Sequence, residues 1–404
     1  MANPVSFGMK DFLLKRLIND KKDNIQKVSI PFGILAGDNG TENNERRMVV
    51  FLGDNFRDLS GTDLKEATRI SNLCLNYVRR QCAGFDLCYK PHPRAHSTGA
   101  DEADLLDLSG FKIEDATVAE LFYLKNIEKI KYVFAACSMG SVTAYDMGLN
   151  SYTFLNIISA AFDPETRKGK NKVLKDMPPE FFIDSFEQPL KENKKKFNDD
   201  GALEKCIRDV FFQKRGRVWL FLGGTADLAN AAAITMLIKK INPGRAVDLI
   251  IVMHNRWSVV PMDDIRGYFD NIFTLPRIFY SLRPVKIFRA IKTARTIKKF
   301  PIQPNDIILE IQGLGFAADC FTSYFPKSTR VAIISGEVFD ISCEEQRYSR
   351  DIFRTRPGAT FFNLILEPIL GIERTQWLED RRRIYNVDRY VRPINDIFDY
   401  VWKF

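Results

Sequence analysis

Three histidines occur in this 404-residue chain, and two of them, His92 and His96, fall within one decapeptide, CYKPHPRAHS. Pro91 and Pro93 fix φ and hold the residues before them extended, so His92 is offered on a stiff loop flanked by Lys90 and Arg94. An imidazole and two cations held this way suit a phosphate; an ordinary Pro-His-Pro turn with a surface histidine is the other reading. His96 reads as exposed. A second group, Ser138-Met139-Gly140-Ser141, puts two hydroxyls and a glycine where an apolar run gives way to a helix. Free N–H groups at such a junction attract anions, and the same serines would equally cap the helix. Asp54 closes the run ERRMVVFLGD, and Asp227 follows Gly223-Gly224 at the first turn of another helix. There the helix dipole favours the ionised carboxylate, which fits it for work as a base or nucleophile, or simply as a cap.

These groups need strands to end where they stand. ERRMVVFLGD, FDLCYKPHP and KYVFAACS are short apolar runs that read as buried strands. Between and after them DLKEATRISNLCLNYVRRQC, ATVAELFYLK and GSVTAYDMGLN carry helical spacing. Strand and helix in alternation predict a parallel, doubly wound sheet whose ligands sit beyond the carboxyl ends of its strands. From 163 to 216 the composition turns to Lys, Asn, Pro and Glu, as expected of a connecting segment. A second α/β unit follows, with strands at RVWLFLGG, VDLIIVMHN, NDIILEIQG and TRVAIISGEVFDI. The expected division is a first Rossmann-like domain over 1–162, the connector 163–216, a second Rossmann-like domain over 217–345 and a C-terminal helical segment over 346–404.

Composition narrows the classes. With 45% hydrophobic and 27% charged residues the chain reads as globular, and no run nears the ~18 uncharged apolar residues of a membrane span. Seven cysteines without a C-x-x-C pair suggest reduced thiols in a cytoplasmic setting. The net charge of +8 allows a nucleotide phosphate, an anionic lipid surface or a nucleic acid as partner. No aromatic-basic reading motif favours nucleic acid. PVKIFRAIKTARTIKKF, at 284–300, reads as a solvated basic face or as an amphipathic helix resting on anionic lipid. GGTADLAN lacks G-x-G-x-x-G, DEAD at 101–104 has no companion phosphate-binding loop, and neither G-x-S-x-G nor H-E-x-x-H occurs.

KPHP at a strand end, with Ser138 46 residues after His92 and YDMGLNSYTFL beyond it, resembles the nucleotide-binding domain of bacterial sialyltransferases and related CMP-sugar-dependent glycosyltransferases of the GT-B type. GTADLANA resembles the first strand-to-helix turn of the other domain of those enzymes. Their acidic-acidic-Gly motif has only a distant echo in Ser335-Gly336-Glu337. The domains stand in reversed order, an arrangement most similar to that of bacterial β-Kdo transferases.

The resemblance implies a modified GT-B fold, two Rossmann-like domains with a cleft between them, and transfer of Kdo from CMP-Kdo to a saccharide acceptor in lipopolysaccharide O-antigen or capsule synthesis. It implies that His92 and Pro93 meet the CMP, and that Lys90, Ser138, Gly140, Ser141 and Asp54 surround its phosphate. Asp227 and His92 are the implied catalytic residues. Under retention Asp227 is the nucleophile, the expected course; under inversion it is the base. No metal and no cofactor beyond the donor is expected. The acceptor is expected to be lipid-linked, holding the enzyme at the inner face of the membrane through 284–300. CMP-sialic acid or a CDP-polyol as donor, and a non-catalytic nucleotide-binding scaffold, are the alternatives.

Overall fold

The computed structural model describes residues 25–28, 30, 32–36, 47–58, 61–93, 102–174, 177–193, 201–224, 227–253, 265–311, 316–334, 358, 361–372, 374–376, 391–393 and 400–403. Their strands are β1 (Ile25–Lys27), β2 (Met48–Leu52), β3 (Asp86–Lys90), β4 (Lys112–Ile113), β5 (Ile130–Ala135), β6 (Asn150–Thr153), β7 (Val218–Leu222), β8 (Val247–Met253), β9 (Asn271–Pro276), β10 (Ile307–Ile311), β11 (Thr329–Ile334), β12 (Arg374–Gln376), β13 (Val391–Pro393) and β14 (Tyr400–Lys403). The chain forms two compact units, each an α/β arrangement around a parallel sheet.

The five-stranded unit comprises the described residues of Pro31–Asn198 and Arg256–Ile265. Its strand order is β4-β3-β2-β5-β6 with every pair parallel. The chain winds from β2 outward to β4, then returns to place β5 on the other side of β2. That reversal is the topological switch point, where neighbouring loops part and leave a crevice. The inner strand β2 is wholly apolar and buried past Met48, and β5 is apolar and buried over Val133–Ala135, as fits a parallel sheet covered on both faces. Helix Leu64–Gln81 begins at Asp63, whose carboxylate accepts the Glu66 N–H at 3.1 Å. Its buried Ala67, Ile70, Cys74 and Val78 recur every three or four residues and pack with Phe51, Phe134 and Phe154.

The seven-stranded unit has the order β1-β14-β11-β10-β7-β8-β9, also all parallel. Here the reversal lies between β7 and β10. Trp219 and Phe221 of β7 share a core with Ile308, Phe316 and Phe321.

The division along the chain differs from the expected one in three places. Most of the described part of the expected connector belongs to the five-stranded unit: Leu174, Phe181 and Ile183 enter its core. Asn193 closes its edge, accepting the Ser151 N–H at 2.9 Å and donating its own amide to the Ser151 carbonyl, in place of a further strand. The boundary therefore falls at 198–199, not at 162–163. The N-terminal strand β1 pairs with β14, so the five-stranded unit is inserted into the other rather than preceding it. The C-terminal part, expected as helical, has short helical turns over 361–369 but also supplies β12, β13 and β14, the last of them inside the seven-stranded sheet. Local patterning could not find these pairings, because β1 and β14 are short and meet across nearly the whole chain.

Among the described residues six cysteines are free and buried, and no helix is long and apolar enough to cross a membrane. Arg94, His96, Thr225, Ala226 and the Ser335-Gly336-Glu337 stretch lie outside the described residues.

Candidate functional site

The carboxyl ends of β2, β3 and β5 bring Asp54, Lys90, His92 and Ser138 to one edge of the five-stranded sheet. Gly53 sets how closely the first two loops approach. Its N–H donates to the Lys90 carbonyl at 2.8 Å, and a Cβ there would lie 2.5 Å from the Tyr89 hydroxyl and 3.1 Å from the His92 backbone nitrogen. Only glycine fits without moving the Pro-His-Pro loop. Gly53→Ala is expected to lower the unfolding free energy by about 1–3 kcal/mol, measured by urea denaturation.

Asp54 spans the switch point. Its carboxylate accepts the Cys137 N–H at 3.2 Å and the Cys137 thiol at 3.3 Å, which ties the end of β2 to the end of β5. Burial pushes the Asp54 carboxyl above its usual range, opposed by the Lys170 ammonium and the Cys137 donors. Lys170 itself donates to the Cys137 carbonyl at 3.2 Å. This cation comes from helix Pro164–Leu174, inside the expected connector, and so was missed by sequence reasoning. A lysine in a polar helix carries no local mark of the strand end it will reach.

Lys90 behaves differently from expectation. Its side chain is buried and donates to the Thr117 carbonyl, and to the Pro91 carbonyl at 3.3 Å. Burial lowers its pKa to about 8, against the pull of Glu120 and Asp115. Its ammonium thus fastens the loop after β3 to the loop after β4. Ser141 is likewise turned inward: its hydroxyl donates to the Ser138 carbonyl at 2.8 Å, and its own carbonyl accepts the Ser151 hydroxyl at 2.7 Å. Ser138 remains half-buried, its hydroxyl 3.4 Å from the Gly140 N–H it accepts. Gly140 is hemmed in, for a Cβ there would stand 3.1 Å from both Ala119 and Leu52, and its carbonyl takes the Tyr123 hydroxyl at 2.9 Å. His92 and Pro93 are half-buried at the same edge. His92, Ser138 and Lys170 are therefore the half-buried groups at this edge, with Asp54, Lys90, Gly140 and Ser141 setting the loops.

Asp227 lies in the seven-stranded unit, just beyond β7 at that sheet's own reversal, and precedes helix Leu228–Ile241. No backbone N–H of the helix donates to its side chain, so it is not the cap that such a position allows. One oxygen accepts the Asn230 amide at 3.1 Å. Burial raises its pKa to about 6, with the Asn230 hydrogen bond acting in the opposite sense. A carboxylate that titrates near neutrality and is not spent on capping is suited to exchange protons or to attack a carbon.

A second buried acid stands in the seven-stranded sheet. Glu310, the fourth residue of the run IILEI, is pushed well above its usual range by burial and by Asp319, with Arg330 pulling the other way. A lone acid within an apolar strand was the available signal. A cavity of about 220 Å³ lies beside β6, lined by Tyr77, Tyr152, Ile183 and Leu190 among others, away from the Asp54 and His92 loops. Among the described residues no three His, Cys, Asp or Glu side chains converge as metal ligands. In comparisons with known proteins, no family model matches the chain and no curated protein matches it.

Proposed function

We propose that the chain is a glycosyltransferase of the GT-B type that moves Kdo from CMP-Kdo to a saccharide acceptor in bacterial surface-polysaccharide synthesis. The observation that carries this reading is the placing of His92 and Ser138 after β3 and β5, on the edge of a parallel sheet that holds its switch point, the place where open α/β sheets take nucleotides. The motif resemblance supplies the donor class. In this reading the nucleotide belongs to the five-stranded unit, and Asp227 of the seven-stranded unit is the carboxylate assigned to the sugar.

In the reaction the bond between the anomeric carbon and the CMP phosphate oxygen breaks, and CMP leaves with the electron pair. His92, Lys170 and the Ser138 hydroxyl meet the charge that builds on the phosphate. The sugar acquires oxocarbenium character, as in other glycosyl transfers. Asp227 either bonds to the anomeric carbon, to be displaced by the acceptor oxygen as the acceptor proton passes to the released CMP phosphate, with net retention, or takes the acceptor hydroxyl proton with inversion. Its carboxyl, titrating near pH 6, is ionised for either task at neutral pH. Lys90 acts as a positioning residue, since its ammonium is committed to carbonyls.

Two measurements test the reading. Incubation with CMP-Kdo, CMP-sialic acid and CDP-glycerol is expected to release nucleotide from CMP-Kdo when an acceptor is supplied. Release only from one of the other two rejects Kdo, and CMP binding with no release from any donor favours a scaffold. By calorimetry, His92→Ala is expected to weaken CMP binding about tenfold, the loss of one charge-assisted hydrogen bond. An unchanged affinity removes His92 from the site.

A further inference from the structure

The charge of the chain is not spread over it. Of 59 basic and 51 acidic residues, eight basic and no acidic ones fall within residues 271–305, which leaves 51 of each sign for all the rest. The entire net charge of +8 is therefore equal to that of this one segment. None of the eight, Arg277, Arg283, Lys286, Arg289, Lys292, Arg295, Lys298 and Lys299, forms an ion pair among the described residues.

The segment builds the edge strand β9, a connecting loop and helix Pro284–Ile297. The helix buries Ala290, Thr293, Ala294 and Ile297 against its unit. The opposite stripe, at steps of three and four residues, is Val285, Phe288, Lys292, Arg295 and then Lys299 just past the helix end. Large apolar side chains on it stand in water: Val285 is 70% exposed and Phe288 67%. The preceding loop adds Leu282 at 49% and Phe279 at 42%. Arg277 and Lys286 lie 5.5 Å and 5.2 Å from the Phe279 ring centre, so cations flank the apolar cluster directly.

We propose that this face, from Arg277 to Lys299, docks on an anionic lipid surface, with Phe279, Leu282, Val285 and Phe288 entering the headgroup boundary and the Lys292, Arg295 and Lys299 stripe lying along the lipid charges. Phosphate and carboxylate headgroups complement a segment with no acid of its own, and a hydrocarbon boundary complements the apolar cluster. A nucleic acid would answer the charges alone, and would leave Val285 and Phe288 with nothing to bury against. The helix lies on such a surface and does not span it, since it is short and half of it faces the protein. The proposal is independent of the donor and of any transfer reaction.

Flotation of the full chain with phosphatidylglycerol-containing vesicles, and with pure phosphatidylcholine vesicles, tests it. Binding is expected to the anionic vesicles only, weakened at high salt. The double variant Lys292→Glu/Arg295→Glu should lose it, and Val285→Ser/Phe288→Ser should weaken it at least about tenfold, both with wild-type circular dichroism. In a third variant, Phe288→Trp, emission should shift to the blue on anionic vesicles and be quenched by brominated acyl chains. Failure to float, flotation indifferent to Val285→Ser/Phe288→Ser, emission of the Phe288→Trp variant that vesicles leave unshifted, or tighter binding to a DNA duplex than to vesicles would each overturn the proposal.

Discussion

Asp227→Asn is expected to lower turnover with CMP-Kdo about 10²–10⁴-fold while leaving CMP affinity within about twofold. The substitution keeps the shape of the side chain and the oxygen that accepts from Asn230, and no backbone cap is lost because the aspartate makes none. What it removes is the ionised carboxylate. The same change should stabilise the fold at neutral pH. The folded pKa of about 6 lies above the ordinary 3.8, so the folded chain holds the extra proton between these values. Stability therefore falls as pH rises through that window and stays low above it. For a group wholly out of water the cost would be ~3 kcal/mol; Asp227 keeps part of its surface exposed, which leaves about 1 kcal/mol to be recovered by the amide. Thermal melts at pH 4 and pH 8 should separate the variant from the wild type only at pH 8. Turnover of the wild type should rise as pH passes through about 6. A variant that keeps its turnover removes Asp227 from the chemistry, whatever its melting point.

The parts of this fold that could be read in the sequence are those whose surroundings are uniform. Strands β2 and β7 are unbroken apolar runs, and β5, β8 and β10 are apolar but for Lys131, Asp248 and Glu310, as fits strands of a parallel sheet covered on both faces. The others carry no such mark. β4 is two exposed residues, and β6 is Asn-Ser-Tyr-Thr, a polar tetrapeptide that is nonetheless buried. Its polar groups are met one by one, Ser151 by Ser141 and by Asn193, Asn150 by the Lys131 carbonyl. That solution depends on partners up to 43 residues away. The site divides along the same line. Strand ends located the loops correctly, because chain direction alone puts them on one edge. Which side chains face outward was not legible: Lys90 and Ser141 spend their polar groups on carbonyls, and Lys170 arrives from a helix outside the motifs.

The largest effect on stability should come from Asp306→Ala, at the end of the seven-stranded sheet opposite to Asp227. Asp306 stands just before β10, and its carboxylate accepts three donors: the Arg217 N–H, the Trp219 indole and the Gln303 N–H, each at 2.9 Å. Its own carbonyl takes the Thr329 N–H at 3.1 Å, and the neighbouring Asn305 carbonyl takes the Gly216 N–H at 3.0 Å. One buried residue thus fixes the starts of β7, β10 and β11 together. Alanine leaves three donors without an acceptor, and at about 1–3 kcal/mol each the loss is roughly 3–6 kcal/mol even after some are rehydrated. That is a large part of the ~5–15 kcal/mol that holds an ordinary domain folded. Asp306→Asn retains one acceptor oxygen but presents an N–H₂ to a donor, so its loss should fall between alanine and wild type. Urea denaturation followed by tryptophan fluorescence would rank the three. A loss below about 1 kcal/mol for alanine would mean that β7 and β10 keep their register through strand pairing alone. The rank order bears on function, because the register of β7 against β10 sets where β7 ends and therefore where Asp227 stands.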